Sequence, residues 1–122
     1  MHMKKISIYL LVLFLILFFI LALRPVPSLP ELECEVTTGI VTDLFEGGEK
    51  DIVFRLRGDK RAFYINRGIE KGLILSDLQD RLSGKEVTFK YPKYWSPLDP
   101  ASRAVHLSKV EFDGITIYAE FD

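Results

Sequence analysis

The chain has 122 residues, with 16 Lys and Arg against 17 Asp and Glu, and a single cysteine. One thiol excludes an internal disulfide, and Cys34 with His106 and the terminal His2 supplies no zinc-ligand spacing. Residues 50–93 carry eleven cations against six anions, which makes the middle mildly basic but no polybasic tract, the pattern of a solvated surface.

Residues 6–23 (ISIYLLVLFLILFFILAL), opening on Ile6 and closing on Leu23, contain no charge, no Gly and no Pro. As a helix they would span roughly 27 Å, close to the thickness of a bilayer's hydrocarbon core. A lone span in lipid must pair its backbone internally, so a transmembrane helix is the expected form. Ser7 and Tyr9 lie near its start, where interfacial residues reach the headgroups. The run is longer than a signal-peptide core, and Ala22-Leu23-Arg24 followed by Pro25 offers no small-x-small cleavage site. Cys34 has no lipobox before it. A retained anchor is therefore favoured over a cleaved signal. Lys4 and Lys5 precede the span and Arg24 alone follows closely, which favours a cytoplasmic N-terminus and an extracytoplasmic domain at the cell membrane.

Residues 24–30 (RPVPSLP) read as a stiff, extended spacer that lifts the domain from the membrane. The expected organisation is an anchor over 1–23, a Pro-rich spacer over 24–34 and a small β domain over 35–122. A first strand is expected over 35–45, with Val36, Ile40 and Leu44 on one face and a bulge or bend at Gly39. Residues 46–49 form a turn. Ile52, Phe54 and Leu56 alternate in a second strand over 51–57, Gly58-Asp59 turns, and Phe63 and Ile65 point inward from a third strand over 61–66. Arg57-Gly58-Asp59 spells an adhesion tripeptide, but turn chemistry alone accounts for it. Asn66-Arg67-Gly68 suits a positive-φ turn, with Arg67 free to pair with an anion or with Glu70 or Asp77.

Ser76 and Gln79 match a capping box for a short helix, with Leu78 and Leu82 on one face and Gly84 as its stop. Val87, Phe89 and Tyr91 share a face of a fourth strand over 86–91. A loop over 92–100 leads to a fifth strand over 103–112, whose phase slips near Ser108 or Lys109, as a bulge would cause. Asp113-Gly114 marks a hairpin, and Ile115, Ile117, Ala119 and Phe121 share a face of the closing strand.

The expected fold class is mainly β: a small five- or six-stranded barrel with one short helix, plus one N-terminal transmembrane helix. Three strands, a helix, then further strands over 35–121 resemble the OB-fold, a Greek-key barrel with its helix between strands three and four. The sixth strand and the long loop after the fourth depart from that pattern, and an SH3-like or other small barrel is the alternative. Residues 64–68 (YINRG) and 90–100 (KYPKYWSPLDP) are also similar to stretches of small uncharacterised bacterial proteins, a resemblance that implies no activity.

The OB resemblance implies a ligand face on strands two and three, flanked by the loops after strands one and four. That maps to Arg55, Arg57, Tyr64 and Asn66, with Glu46 to Glu49 and Lys93, Tyr94 and Trp95 beside them. Cations among aromatics stack flat rings and pair anions, while the structural alternative is that Tyr91, Tyr94 and Trp95 pack one end of the barrel. An extracytoplasmic side favours an envelope protein or glycan partner over nucleic acid. No catalytic residue, metal ligand or cofactor is assigned. Cys34 and His106 form a weak nucleophile–base candidate, because Glu33 and Glu35 would raise the thiol pKa. Asp43, Asp51, Asp59 and Arg55 are the residue types of a metal-dependent OB-fold nuclease without a motif to gather them. The readings carried forward are a membrane-anchored binding module, a structural subunit of a membrane complex and, less favoured, a metal-dependent hydrolase.

Overall fold

The structure, a computed structural model, describes residues 2–121. Helix α1 spans His2–Ala22. The 20 residues Met3–Ala22 are long and apolar enough to cross a membrane, and none of that stretch is buried against the rest of the chain. An exposed apolar helix in this position is what a signal-anchor or a signal peptide supplies. The Ser7 hydroxyl donates to the Met3 carbonyl (3.0 Å), so this polar group is satisfied within the helix.

The rest is mostly β. Strands β1 (Glu35–Gly47), β2 (Asp51–Leu56), β3 (Ala62–Ile65), β4 (Glu86–Tyr91), β5 (Ala104–His106), β6 (Lys109–Phe112) and β7 (Ile115–Ala119) form one sheet. Their order is β5-β3-β2-β1-β4-β6-β7, and the short helix α2 (Leu75–Leu82) lies between β3 and β4 in the chain. Only β3 and β5 pair in parallel; the other neighbours are antiparallel.

β1 has two partners. Residues 35–40 pair with β4, and residues 41–47 pair with β2. The expected bulge is in this strand but not at Gly39: the register shifts between Val41 and Asp43. Val41 and Leu44 are both buried, and a three-residue separation puts them on one face only because of that extra residue. Val36 and Ile40, expected to share the face of Leu44, lie before the shift; Val36 is 57% exposed and Ile40 is half-buried. Gly39 has a different role: a Cβ there would stand 2.9 Å from Leu56 Cδ1. The glycine lets β2 approach where β1 exchanges partners.

The core forms where the strand alternation places it. Phe54, Phe63 and Phe89, from β2, β3 and β4, are fully buried. The Phe54 and Phe63 rings each contact Phe89, with centroids 5.2 and 5.0 Å away. Leu78 and Leu82 of α2 complete this core, as their i, i+4 spacing implies. The capping box is not formed. Ile74 is the N-cap residue, Ser76 lies inside the helix, and the Gln79 amide donates to the Leu44 carbonyl of β1 (2.7 Å). Gln79 thus fastens the helix to the sheet.

The strand expected over 103–112 is two strands, giving seven in all. It breaks at Leu107 and Ser108, both buried, where the apolar phase slips. The Leu107 N–H donates to the Tyr64 carbonyl (2.8 Å), and the Ser108 N–H donates to the Lys90 carbonyl (2.9 Å). Within two residues the chain passes from the edge of β3 to the edge of β4. Asp113 and Gly114 both have positive φ, 52° and 75°, as a tight primed turn demands, and Phe112 faces Ile115 across it. β7 does not bury one clean face: Ile115 and Ala119 are exposed, and Ile117 and Tyr118 are half-buried.

At the other tight turn, the positive φ belongs to Arg67 (52°) and not to Asn66 or Gly68. Arg67 pairs with Glu49 (3.7 Å) and Glu70 (3.6 Å), and its N–H donates to the Asp51 carboxylate (2.8 Å); Asp77 instead faces Arg81. Gly68 is required by contact, since a Cβ would lie 2.9 Å from Ile52 Cδ1.

The spacer also departs from expectation: it lies against the domain. Its 3-10 turn Glu31–Glu33 delivers the Glu31 carboxylate to Lys90 (2.9 Å) and Lys109 (2.5 Å). These lysines are opposed across β4 and β6, where like charges repel, and Glu31 bridges them. The two ammonium groups hold Glu31 below the usual carboxylate range.

Gly68→Ala in the full chain is expected to lower stability by about 1–3 kcal/mol through overpacking against Ile52. Adding Ile52→Val removes Cδ1 but keeps Cγ1, which is also 2.9 Å from the added Cβ, so it is expected to restore only a small part of the loss. Urea unfolding followed by circular dichroism checks both.

Candidate functional site

Beside the β3–β5 edge lies a cavity of about 540 Å³, within the size range of small-molecule sites. Tyr64 of β3 and the segment 104–106 of β5 form one wall; residues 92–94 and the loop over 96–102 form the other. Arg61 and Tyr91 also line it, together with Glu35 at the start of β1.

The arrangement follows from strand parity. Phe63 and Ile65 point into the core, so Tyr64 projects to the opposite face, where its ring meets His106 edge-on at 5.6 Å. Tyr64 and His106 are also register partners across the parallel β3–β5 pair. Burial, then the Asp51 charge, pushes the Tyr64 phenol above its ordinary pKa, so it stays protonated and can donate a hydrogen bond. His106 Nε2 lies 2.7 Å from Glu120 Oε1, within hydrogen-bond distance.

Arg61 has the inward parity of the apolar residues, which is costly for a cation unless it is paired. The Asp59 carboxylate accepts from Arg61 Nε (3.0 Å) and Nη2 (2.8 Å), and also from the Arg61 backbone N–H (2.9 Å). Nη1 donates to the Tyr91 hydroxyl (3.1 Å), which lies 2.6 Å from Thr37 Oγ1. The guanidinium also stands over the Phe63 ring, 4.8 Å from its centroid. Hydrogen bonding to Arg61 lowers the Asp59 pKa, and the same pair raises that of Arg61. Gly58, with φ 73°, makes the turn that brings Asp59 back to Arg61, which is the structural role of the adhesion-like tripeptide.

The loop over 92–102 is internally braced. The Asp99 carboxylate accepts from the N–H groups of Arg103 (3.1 Å) and Ala104 (2.8 Å). Trp95 Nε1 donates to the Pro100 carbonyl (3.1 Å), and the Leu98 N–H donates to Ser96 Oγ (3.2 Å). Tyr94 faces the cavity while its hydroxyl donates to the Arg24 carbonyl (2.6 Å).

Of the seven candidates, Tyr64, Lys93 and Tyr94 line this cavity. Arg55 and Arg57 are exposed along β2 and just past its end, Asn66 is exposed just past β3, and Trp95 is half-exposed on the loop; none of these four lines it. The flanking turn over 46–49 borders a separate surface depression with Arg67 and Glu70, sharing no residue with the first. The sequence analysis missed Arg61, Glu35 and Asp99 as parts of the site. Arg61 had a signal: a cation at inward parity with an acid two residues before it.

The carboxylates of the proposed metal site do not assemble, and Cys34 and His106 each hydrogen-bond another group. Cys34 Sγ contacts the Pro30 carbonyl at 3.6 Å, while His106 engages Glu120. Burial, more than neighbouring acids, pushes the Cys34 thiol up, and the charges that add to it are those of Glu31 and Glu120. Asp43 faces Arg55 across β1 and β2, Asp51 accepts from Arg67, and Asp59 is held by Arg61. Among the described residues, no group of three or more His, Cys, Asp or Glu side chains is placed to hold a metal ion. Comparison with protein-family models, curated proteins and solved structures finds no match, so the chain is assigned to no family.

A depressed folded-state pKa for Asp59 means that its pairing stabilises the fold fully above the unfolded value of about 3.9. That contribution is lost as pH falls through the folded value. Asp59→Asn is expected to be less stable at neutral pH, with a flatter stability profile below about pH 4. Urea titrations across acid pH check this.

Proposed function

We propose that the chain is a single-pass membrane protein, anchored by α1, whose extracytoplasmic domain is a small OB-like barrel that binds an envelope glycan or peptide in the cavity beside Tyr64. The cavity itself carries the reading, because it brings Tyr64, Lys93 and Tyr94 together from segments thirty residues apart in the chain. Two aromatic side chains offer flat surfaces for a sugar ring or apolar side chain, while Lys93, Glu35 and Arg61 supply polar contacts at the same walls. The basic flank before α1 supports a cytoplasmic N-terminus and hence an extracytoplasmic domain, a location that disfavours nucleic acid as the ligand.

The barrel reading draws on the passage at Leu107 and Ser108. A strand parallel to β3 that continues into one antiparallel to β4, beside a β1 shared by β2 and β4, supports the OB-like reading. α2 has the corresponding place between β3 and β4. The rival reading, a structural subunit, draws on β7, which pairs only with β6 and presents exposed Ile115 at the end of the sheet.

Amide NMR of the full chain in detergent micelles, titrated with cell-wall glycan fragments and envelope peptides, tests the reading. Shifts are expected at Tyr64, Lys93, Tyr94 and His106. Tyr64→Ala and Lys93→Glu are expected to weaken binding about tenfold or more, the scale of one lost buried contact. Arg55→Ala and Asn66→Ala are expected to leave it unchanged. Shifts confined to β7, or equal losses in all four variants, would sink the cavity as the site.

A further inference from the structure

We propose that the loop over 94–100 (YWSPLDP) is a second membrane contact, seated in the headgroup region of the bilayer that holds α1. The inference rests on α1 being a retained span, and the test below separates the two.

The covalent path sets the position. α1 ends at Ala22, the Leu23 N–H still donates to the Phe19 carbonyl, and Arg24 follows at once. Arg24 is joined to the loop by three contacts. Its Nη2 donates to the Trp95 carbonyl (2.5 Å), its own carbonyl accepts from the Tyr94 hydroxyl (2.6 Å), and its guanidinium lies over the Tyr94 ring, 4.9 Å from the centroid. The loop is therefore held within one side chain's reach of the point where the apolar helix ends. In a membrane that point is the interface, the layer in which Trp and Tyr concentrate.

The loop's composition suits the same layer. Leu98 lies in the turn closed by the Asp99 N–H donating to the Ser96 carbonyl (3.0 Å) and is 69% exposed; Trp95 is 47% exposed. Exposed apolar side chains on a braced loop are costly in water but favourable some 5–10 Å into the boundary between headgroups and acyl chains. The polar groups that would oppose burial have partners: Trp95 Nε1 donates to the Pro100 carbonyl, and the Asp99 carboxylate accepts two backbone N–H groups. Exposed cations flank the loop at Arg24, Lys93 and Arg103, positioned for anionic headgroups.

Trp95 is the chain's one tryptophan, so its emission reports on this loop alone. The full chain is reconstituted in vesicles of phosphatidylcholine and phosphatidylglycerol, and vesicle flotation is read with Trp95 fluorescence. Flotation, blue-shifted emission, and stronger quenching by lipids brominated high on the acyl chain than near its end support the inference. Leu98→Asp, a change at an exposed turn position, should keep flotation and the circular dichroism spectrum but lose most of the quenching. Flotation with emission as water-accessible as that of a free indole would overturn the loop contact and leave the anchor standing. Quenching unchanged in Leu98→Asp would overturn it too, since the tether alone would then hold Trp95 near lipid. Failure to float would remove the retained span and this inference together.

Discussion

The exchange of partners along β1 is the constraint on which the domain depends. One strand hydrogen-bonds β4 with its first half and β2 with its second. A regular strand could not do so and keep its apolar residues on one side; the extra residue between Val41 and Asp43 restores the phase for Leu44. The bend brings β2 and β4 to the same core, where Phe54 and Phe89 meet at 5.2 Å. Gly39 and Gly68 serve the same end at two contacts, each leaving room where a methyl group would strike a core side chain. α2 then fills the space beside the bend, held by Leu78, Leu82 and the Gln79 bond to the Leu44 carbonyl.

Charge is used mainly to fasten segments that sequence separates. Glu31 spans 59 residues to Lys90 and 78 to Lys109, and joins the spacer to the outer face of β4 and β6. Exposed ion pairs contribute little singly, but here one carboxylate also relieves repulsion between two opposed lysines. Arg61, paired with its near neighbour Asp59, reaches Tyr91 of β4. A charge at inward parity is tolerated because five donors on its planar head find a carboxylate, a phenol and an aromatic face.

Local alternation made most strands legible. Ile52, Phe54 and Leu56, then Phe63 and Ile65, then Val87, Phe89 and Tyr91, are all buried as period-two patterning implies. Asp113-Gly114 turns as its two positive φ angles require. The features that escaped are those for which a nearby residue offered a plausible but unused signal. Gly39 drew the bulge away from Val41–Asp43, where β-branched and acidic residues give no hint of an extra residue. Ser76 and Gln79 had the spacing of a capping box, yet the helix starts two residues earlier, with Ile74 as its N-cap, and Gln79 finds an acceptor in β1. The prolines of the spacer said nothing of direction, which is decided by Glu31 and Arg24 through contacts far along the chain. For the site, Tyr64, Lys93 and Tyr94 were legible as aromatic and cationic residues near strand ends; Glu35 and Asp99 were not, because only folding brings β1's start and the 96–102 loop to one cavity.

Tyr94 shows why the cavity and α1 belong to one structural account. The residue lines the cavity, while its hydroxyl is committed to the Arg24 carbonyl and its ring lies beneath the Arg24 guanidinium. A phenylalanine could supply the wall and the cation–π contact, but it could not satisfy a carbonyl just beyond the end of a helix, where intrahelical donors run out. The phenol thus fixes the outer wall of the cavity relative to the end of α1. Arg24 completes the same bond network from the other side by donating to the Trp95 carbonyl. The wall's position is therefore set by contacts at Arg24, just beyond α1, as well as by the sheet, and any displacement of the loop that opens the cavity must stretch or break them.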